Sequence, residues 1–352
     1  MTSLLARFKP GQRVGVFASF ALGLVVTSLV IAVITRATTP PPDMLVLTPK
    51  LKHYQAHADT YDTVFLGTSR TLYHIVPADI EHVASQSGCR DMTVFNFGVF
   101  GLTGAEQDWL LDRILENPPE NLKRVVIEDP LPEARSPGAF TNERGRFFHG
   151  PEHYKANLES IWSFPESLPK RAFRTGMLGA AAVYDLSNVG RASDAFFSSH
   201  TTREDYTFLF EEGGFEALDD VTSDDIVARR KDFIDNPDKF NHQLGLFQKA
   251  SSPNLDARAD YMIAKAEKIR AAGIEPMIFV SPDVMEIDRT PEVARVIRSK
   301  APDLKILDFN RPDLFPELFT REIWEDFSHY GRHGAQMLSR EIGAHLCDAS
   351  IS

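Results

Sequence analysis

The spacing of apolar residues predicts strands and helices in alternation along two parts of the chain. In the first part, strands are predicted at 63–66, from 93 into a glycine-bearing turn at 98–101, and at 124–128, with helices beginning near Ser69 and spanning 105–115. In the second part, the order is a helix at 257–272, a strand at 277–280, a helix at 291–300, a strand at 305–309 and a helix at 334–346. Such alternation predicts a parallel sheet covered by helices on both faces, which binds ligands at the carboxyl ends of its strands.

A longer apolar run near the N-terminus predicts a transmembrane helix. Residues 14–35 carry no charge, and about 22 such residues are enough to cross a bilayer. Basic residues in the preceding segment, 1–13, indicate that this tail stays in the cytoplasm and that the remainder is exported. We therefore predict an uncleaved signal anchor, with a cleaved signal peptide as the alternative, followed by a stalk over residues 36–60 that begins with the proline-rich run at 40–42.

The composition indicates one large folded domain beyond the predicted anchor. The chain has 352 residues, of which 38 are basic and 49 acidic, and its formal net charge is −11. Because four of the basic residues precede Thr38, about −15 falls on the rest of the chain, which argues against nucleic acid and anionic glycolipid surfaces as partners. The sequence has no zinc-type cysteine and histidine spacing, no glycine-rich phosphate loop and no repeat period, so no metal or cofactor is predicted.

Ser69, Asp326 and His329 are the residues with the clearest chemical signal. Ser69 follows a predicted strand and precedes a predicted helix, so its hydroxyl is expected at the carboxyl edge of the sheet and its N–H at a positive helix end. Asp326 and His329 are three residues apart near the C-terminus. An imidazole can take the proton of a serine hydroxyl, and a carboxylate fixes the tautomer of the imidazole, so the three residues predict a serine nucleophile system.

Three segments resemble sequence blocks of the SGNH (GDSL-type) hydrolase superfamily. They are Gly67-Thr68-Ser69-Arg70, Asn96-Phe97-Gly98-Val99-Phe100-Gly101 and Asp326-Phe327-Ser328-His329, in the order of the family's first, second and fifth blocks. The resemblance covers about residues 61–130 and 256–347, and it implies a flavodoxin-like three-layer α/β/α fold that cleaves or transfers acyl groups. It also implies roles: Ser69 as nucleophile, His329 as general base, Asp326 as its orienting carboxylate, and the N–H groups of Ser69 and Gly101 as the oxyanion hole.

The third block of the family pattern is missing. The family places an asparagine after the third strand as a side-chain donor to the oxyanion, whereas this chain has Glu128 and Asp129 there. Loss of one such donor typically costs ~10²–10³ in rate. We expect Asn96 or a residue of the insertion at 131–255 to substitute, and the alternative is weak or lost activity.

Arg70, directly after the nucleophile, has no place in a minimal triad. A guanidinium group binds planar anions through paired hydrogen bonds, so Arg70 is predicted to bind a carboxylate or phosphate of the substrate. The alternative is an ion pair with a nearby acid such as Asp129 or Glu128.

The resemblance divides the exported part into a core, residues 61–130 and 256–352, and a mostly helical insertion, residues 131–255, that is expected to act as a lid or acceptor-binding cap. The helical stretch 172–190 within the insertion is predicted to be a buried core helix, with contact at the membrane surface as the alternative. The aromatic residues of the insertion are expected to pack a small core of its own.

Cys89 and Cys347 are the only two cysteines. In the implied fold the first and last helices lie side by side, and both cysteines fall near the ends of those helices at the same edge. An exported location permits a disulfide between them, and separate buried thiols are the alternative.

Two functions of different classes are consistent with the sequence. The first is an extracytoplasmic esterase or O-acyltransferase that is held in the inner membrane by one helix. It removes or transfers an acyl group, with acetyl as the first candidate, on an envelope polysaccharide or glycan. The second is a non-catalytic scaffold with the same fold in a complex of polysaccharide-assembly proteins. The intact serine, aspartate and histidine favour the enzyme, and the missing third block favours the scaffold.

Overall fold

The computed structural model describes residues 10–38, 44, 46–88, 92–129, 143–148, 150–163, 166–187, 210–247, 255–284 and 292–346. The chain divides into two compact units. The larger unit comprises Leu45–Ala134, Lys155–Ser167 and Thr202–Ser352, and the smaller unit comprises Met1–Met44, Arg135–Tyr154 and Leu168–Thr201.

A five-stranded, all-parallel sheet forms the centre of the larger unit, as the alternating pattern predicts. Its strands are β1 (Thr63–Gly67), β2 (Val94–Gly98), β3 (Arg124–Glu128), β4 (Glu275–Val280) and β5 (Lys305–Asp308), in the order β2-β1-β3-β4-β5. In β1 and β2, Gly67 pairs with Gly98, while Glu128 of β3 pairs with Phe279 of β4. The segments that follow β1, β2 and β3 therefore leave the sheet at one edge.

Thirteen helices have bounds within the part of the chain that the structure describes. They are α1 (Pro10–Thr38), α2 (Leu47–His57), α3 (Ser69–His74), α4 (Pro77–Gln86), α5 (Gly104–Glu116), α6 (Glu143–Phe147), α7 (Pro151–Ser163), α8 (Leu168–Leu186), α9 (Asp224–Asp235), α10 (Pro237–Phe247), α11 (Leu255–Ala271), α12 (Glu292–Lys300) and α13 (Arg332–Leu346). The helix predicted to begin near Ser69 is broken in two, because Pro77 disfavours helical backbone at Val76, where the chain is extended.

One face of the sheet carries a continuous apolar core. Alternate strand residues, among them Phe65, Val126 and Phe279, are buried there together with residues of α4 and α13. Burial of each such side chain stabilises the fold by about 1.5–3 kcal/mol. Helices α4 and α13 lie in close contact, since a Cβ atom at Gly343 would come within 2.7 Å of the Ile80 carbonyl oxygen. The two helices lie side by side, as predicted. The predicted disulfide between Cys89 and Cys347 concerns residues outside the described part of the chain.

The larger unit begins at Leu45, within the segment predicted to be a stalk, residues 36–60. Helix α2 buries Leu47, Lys50 and Tyr54. The ammonium group of Lys50 donates hydrogen bonds of 2.8 Å to the carbonyl oxygens of Asn96 and Gly98 at the end of β2. The second half of the predicted stalk is therefore part of the folded unit, because the buried Lys50 amine holds it on the sheet.

The predicted insertion at 131–255 is not one structural block. Residues 135–154 and 168–201 belong to the smaller unit, while 155–167 and the segment from 202 onward belong to the larger one. Phe210, one of the aromatics expected to pack a separate core, packs against Leu72 and Tyr73 of α3 instead. Phe215, Phe233 and Phe240 of the same segment are buried in the core of the sheet.

The N-terminal helix agrees with the predicted membrane span. Among the described residues, the stretch Gly15–Thr38 of α1 is long and apolar enough to cross a membrane. Most of its side chains are exposed, including Phe20, Leu22 and Val33. A helix that is apolar around its circumference and exposed requires an apolar environment.

Asp308 at the end of β5 makes the stability of the larger unit depend on pH. Burial raises the pKa of Asp308 to about 6 from its ordinary value of 3.8, despite the opposing effect of Arg298 and Arg311. The folded protein therefore keeps this proton between about pH 4 and pH 6, where the unfolded chain loses it, and the contribution of Asp308 to stability falls as the pH rises through that range.

We expect Asp308→Asn to raise the free energy of unfolding by about 1–3 kcal/mol at pH 8 and to change it little at pH 4. Urea unfolding in detergent, followed by tryptophan fluorescence at both pH values, measures this difference. Asp303→Asn, at an exposed acid, is the matched control and should stay within about 0.5 kcal/mol of wild type. A stabilisation of equal size at both pH values would contradict the assignment.

Candidate active site

Ser69, His329 and Asp326 meet at the edge of the sheet, although about 260 positions separate the serine from the histidine. The Ser69 hydroxyl lies 2.8 Å from Nε2 of His329, and Nδ1 of that ring lies 3.0 Å from both carboxylate oxygens of Asp326. Because an ionised carboxylate only accepts hydrogen bonds, Nδ1 carries the proton and Nε2 accepts from the serine. The structure brings the three predicted residues together in the relationship that serine catalysis requires.

The loop after β5 holds Asp326 in place through its own backbone. One oxygen of the carboxylate accepts hydrogen bonds from the N–H groups of Ser328 at 2.7 Å and His329 at 2.8 Å. Burial acts to raise the pKa of Asp326, but the adjacent His329 and these hydrogen bonds outweigh it, and the pKa lies below its ordinary value. Asp326 is thus ionised at neutral pH and oriented toward the imidazole.

Ser69 is the one residue between Asp62 and Pro77 that is not buried. The strand-to-helix turn that exposes it depends on two glycines. A Cβ atom at Gly67 would lie 1.9 Å from Oγ1 of Thr71, and one at Gly98 would lie 2.1 Å from the backbone nitrogen of Leu72. Helix α3 therefore packs directly on the ends of β1 and β2, and its first residue presents its hydroxyl at the surface.

The carboxylate of Glu128, at the end of β3, lies beneath the Ser69 turn. Its Oε2 accepts hydrogen bonds from the backbone N–H groups of Thr68 at 2.7 Å and Thr71 at 3.2 Å. The same oxygen accepts from the Thr71 hydroxyl at 2.7 Å, and Oε1 accepts from the Thr68 hydroxyl at 2.8 Å. Burial raises the pKa of Glu128, while Arg70 and these hydrogen bonds oppose that rise. This role of Glu128 was not predicted from the sequence, where its one signal is the threonines at positions 68 and 71 on either side of the Ser69-Arg70 pair.

The hydrogen bonds of the turn leave one N–H group for a substrate. The Glu128 carboxylate accepts those of Thr68 and Thr71, and the Thr68 hydroxyl accepts that of Arg70 at 3.3 Å. Within the described part of the chain, no acceptor pairs with the N–H of Ser69. This group lies at the first position of α3, where the helix end attracts negative charge, and it suits an oxyanion.

The two other predicted oxyanion donors differ in their surroundings. Gly101 lies in the turn after β2 with a φ of 62°, a left-handed conformation that favours glycine, and its role as a donor stays a prediction. The amide of Asn96 is fully buried and donates to the carbonyl oxygens of Thr71 and Ile75, each at 2.7 Å. Both of its hydrogens are thus used to hold α3 on β2, which argues against the predicted oxyanion role of Asn96.

At the position after β3 where the family resemblance expects an asparagine, the chain has a buried ion pair. The carboxylate of Asp129, which follows β3, binds the guanidinium of Arg258 through both of its oxygens, one of them 3.0 Å from Nε. Both side chains are buried. Asp129 is therefore neutralised by α11 and does not act as an unpaired charge at the site.

Arg70 is paired within the fold. Its side chain is 3% exposed, and Nη2 lies 2.5 Å from the carboxylate of Asp283 in the loop after β4. The sequence predicted either a substrate anion or an ion pair with Asp129 or Glu128. The structure shows the ion-pair alternative, with Asp283 as the partner instead of the two acids given as examples. Asp283 lies 213 positions away and carries no local sequence signal.

His74, at the end of α3, is a second histidine that the sequence did not single out. Its Nε2 accepts the backbone N–H of Tyr330 at 3.1 Å, and its Nδ1 lies 3.0 Å from the Ser281 hydroxyl. Burial, and then the nearby His329 and Arg70, hold the pKa of His74 well below its ordinary value. The ring is neutral, and it joins α3 to Tyr330, the residue that follows His329.

The sequence of the chain was also compared with known proteins. The sequence matches no protein-family model, and no curated protein matches it.

The contacts of Glu128 predict how the reactivity of Ser69 changes when the hydrogen-bond donor at Thr71 is removed. Thr71→Val removes the hydroxyl that binds the carboxylate and keeps the shape of the side chain, and Thr71→Ser retains the hydroxyl. A hydrogen bond to a charged group contributes about 1.5–3 kcal/mol, so we expect the rate of labelling by a serine-directed fluorophosphonate to fall about tenfold or more in Thr71→Val alone. Equal rates in both variants, with unchanged melting temperatures, would show that Glu128 does not order the turn.

Proposed function

We propose that this protein is a serine esterase or O-acyltransferase of the SGNH type. The observation that carries the proposal is the chain of contacts from the Ser69 hydroxyl through His329 to Asp326. A scaffold that had lost its chemistry would have no need to keep an imidazole nitrogen 2.8 Å from a partly exposed serine hydroxyl. For this reason we favour the enzyme over the non-catalytic alternative.

In the proposed reaction, the Ser69 oxygen bonds to the acyl carbon while its proton passes to Nε2 of His329. The negative charge on the former carbonyl oxygen is held by the N–H of Ser69 and, by the family resemblance, that of Gly101. Collapse of the intermediate breaks the ester bond, and the leaving alcohol oxygen takes the proton from His329. Water or a sugar hydroxyl then repeats these steps in the opposite sense and releases Ser69.

We further propose that the fold is the flavodoxin-like three-layer arrangement of that superfamily. The order β2-β1-β3-β4-β5 supports it, because it is the strand order of flavodoxin-like sheets, which bind their ligands at the carboxyl edge beside the first strand. Ser69 follows that first strand. The resemblance in sequence and the strand order therefore agree on where a substrate binds.

We propose that the enzyme works outside the cytoplasm while anchored in the inner membrane by α1. The length and apolar character of α1 and the basic residues before it support this orientation. The proposed substrate is an acyl group, with acetyl as the first candidate, on an envelope polysaccharide or glycan. This choice of substrate rests on the family resemblance. Other envelope polysaccharide-assembly proteins are the proposed partners.

Labelling of the full-length protein with a fluorophosphonate tests the proposal. We expect covalent labelling of wild type and none of Ser69→Ala or His329→Ala, because the probe needs a deprotonated serine. Ser85→Ala and His82→Ala, at exposed positions of α4, are the matched controls and should label like wild type. Absence of labelling in wild type, or labelling that survives Ser69→Ala, would contradict the proposed mechanism.

Asp326→Asn tests the role of the carboxylate. The amide cannot hold His329 in the tautomer that accepts from Ser69, so the turnover of p-nitrophenyl acetate should fall on the order of 10³–10⁴-fold. Glu322→Gln, an exposed acid close in the sequence, should leave turnover unchanged. A fall of less than tenfold in Asp326→Asn would rule out this carboxylate as the orienting group.

A further inference from the structure

Helix α8 presents an apolar face to its surroundings. The stripe consists of residues spaced by three or four along the helix, all of them exposed and none charged: Leu168, Ala172, Gly176, Gly179, Val183 and Leu186. The exposed fractions of Leu168, Val183 and Leu186 are 68%, 68% and 64%, and Phe173 beside the stripe is 62% exposed. Apolar side chains in a continuous exposed stripe mark a surface that contacts a partner or a membrane.

The opposite side of α8 is the side that packs within the smaller unit. Leu178, Ala181 and Asp185 are buried, and the hydroxyl of Tyr154 donates a hydrogen bond to the Asp185 carboxylate. A surface helix of a water-soluble protein buries its apolar residues and exposes its charges. Because α8 buries its carboxylate and exposes leucine, valine and phenylalanine, the prediction of a buried core helix is wrong for its outer face.

The charges near the start of α8 are positive. Lys170 is exposed, Arg171 and Arg174 are half-buried, and the one acid of the helix, Asp185, is buried. The chain as a whole has a formal charge of −11. A locally basic, outwardly apolar helix in an acidic protein has the character of helices that lie at a membrane surface.

We propose that α8 lies in the surface of the lipid bilayer, with its apolar stripe against the acyl chains and its first turns at anionic lipid headgroups. The inference rests on the proposed membrane anchoring by α1, which belongs to the same compact unit. Because the anchor holds this unit at the bilayer, the stripe binds lipid at a high local concentration and needs little affinity of its own. The small residues Gly176 and Gly179 also suit a closely packed partner helix, and the experiment separates that occupant from lipid.

The test measures lipid contact at single positions of the full-length protein. Cys89→Ser and Cys347→Ser provide a cysteine-free background, in which Phe173→Cys, Val183→Cys, Lys231→Cys and Leu24→Cys each carry an environment-sensitive fluorophore. The proteins are reconstituted into vesicles of phosphatidylethanolamine and phosphatidylglycerol, with and without nitroxide-labelled phospholipid. Lys231 lies on an exposed part of α9 and is the water-facing control, while Leu24 lies within α1 and is the control for the anchor.

We expect the nitroxide lipid to quench the label at positions 173 and 183 at least twofold more than at position 231, and to quench it at position 24 as well. Quenching at 24 but not at 173 and 183 would overturn the inference and leave the anchor intact. A blue-shifted emission at 173 and 183 that the nitroxide lipid does not quench would assign the stripe to a protein partner instead. Loss of quenching at position 24 would refute the anchoring itself, whereas labelling of Ser69 in the same samples reports separately on the chemistry.

Discussion

The buried carboxylate of Glu128 is the contact on which the geometry of the site depends. It lies at the end of the central strand β3 and accepts hydrogen bonds from both threonines that flank Ser69. The carboxylate reaches the turn only because residue 67 has no side chain, since a Cβ atom there would lie 2.4 Å from Oε2 of Glu128. The glycine, the threonines and the glutamate therefore act as one unit, and the exposed position of Ser69 follows from it. A buried, unpaired carboxylate would be expensive, so the turn and the charge stabilise each other.

Buried polar groups surround this unit. Lys50 donates to the carbonyl oxygens at the end of β2, and burial holds the pKa of Lys50 well below its ordinary value. Two buried ion pairs lie nearby, since Arg70 binds Asp283 and Asp129 binds Arg258. Breaking one of these ion pairs costs about 3–5 kcal/mol, because the remaining charge stays buried without compensation. Each pair joins segments that are distant in sequence, so the pairs fix how the loops after β1, β3 and β4 are arranged around the serine. This is the rigid support that a catalytic group requires.

The sequence predicts the elements of the sheet well and the contacts of the site only in part. Short apolar runs located all five strands, because a buried parallel strand leaves a strong local pattern. The meeting of Ser69, Asp326 and His329 was predictable because the serine follows a strand and the aspartate and histidine stand three residues apart in a short segment that resembles a family block. The Asp283 partner of Arg70 and the capping role of Glu128 were not, since an ion pair between distant positions leaves no periodic signal. Residues 47–57 were mistaken for a stalk because a helix with one buried lysine looks polar in sequence.

Glu128 and Asp129 stand where the family resemblance expects an asparagine that donates to the oxyanion. Their presence affects how the proposed enzyme stabilises its tetrahedral intermediates. Asn96 holds α3 and Asp129 is neutralised by Arg258, so within the described part of the chain the proposed oxyanion donors are the backbone N–H groups of Ser69 and Gly101. Fewer donors stabilise every tetrahedral intermediate less, at about 3–4 kcal/mol for each donor lost. Attack by water has no binding energy to offset that loss, whereas a bound sugar hydroxyl gains from its fixed position. Within the proposed function, hydrolysis and transfer share the acyl-enzyme, and they differ in whether free water or a hydroxyl held in position by the site attacks it.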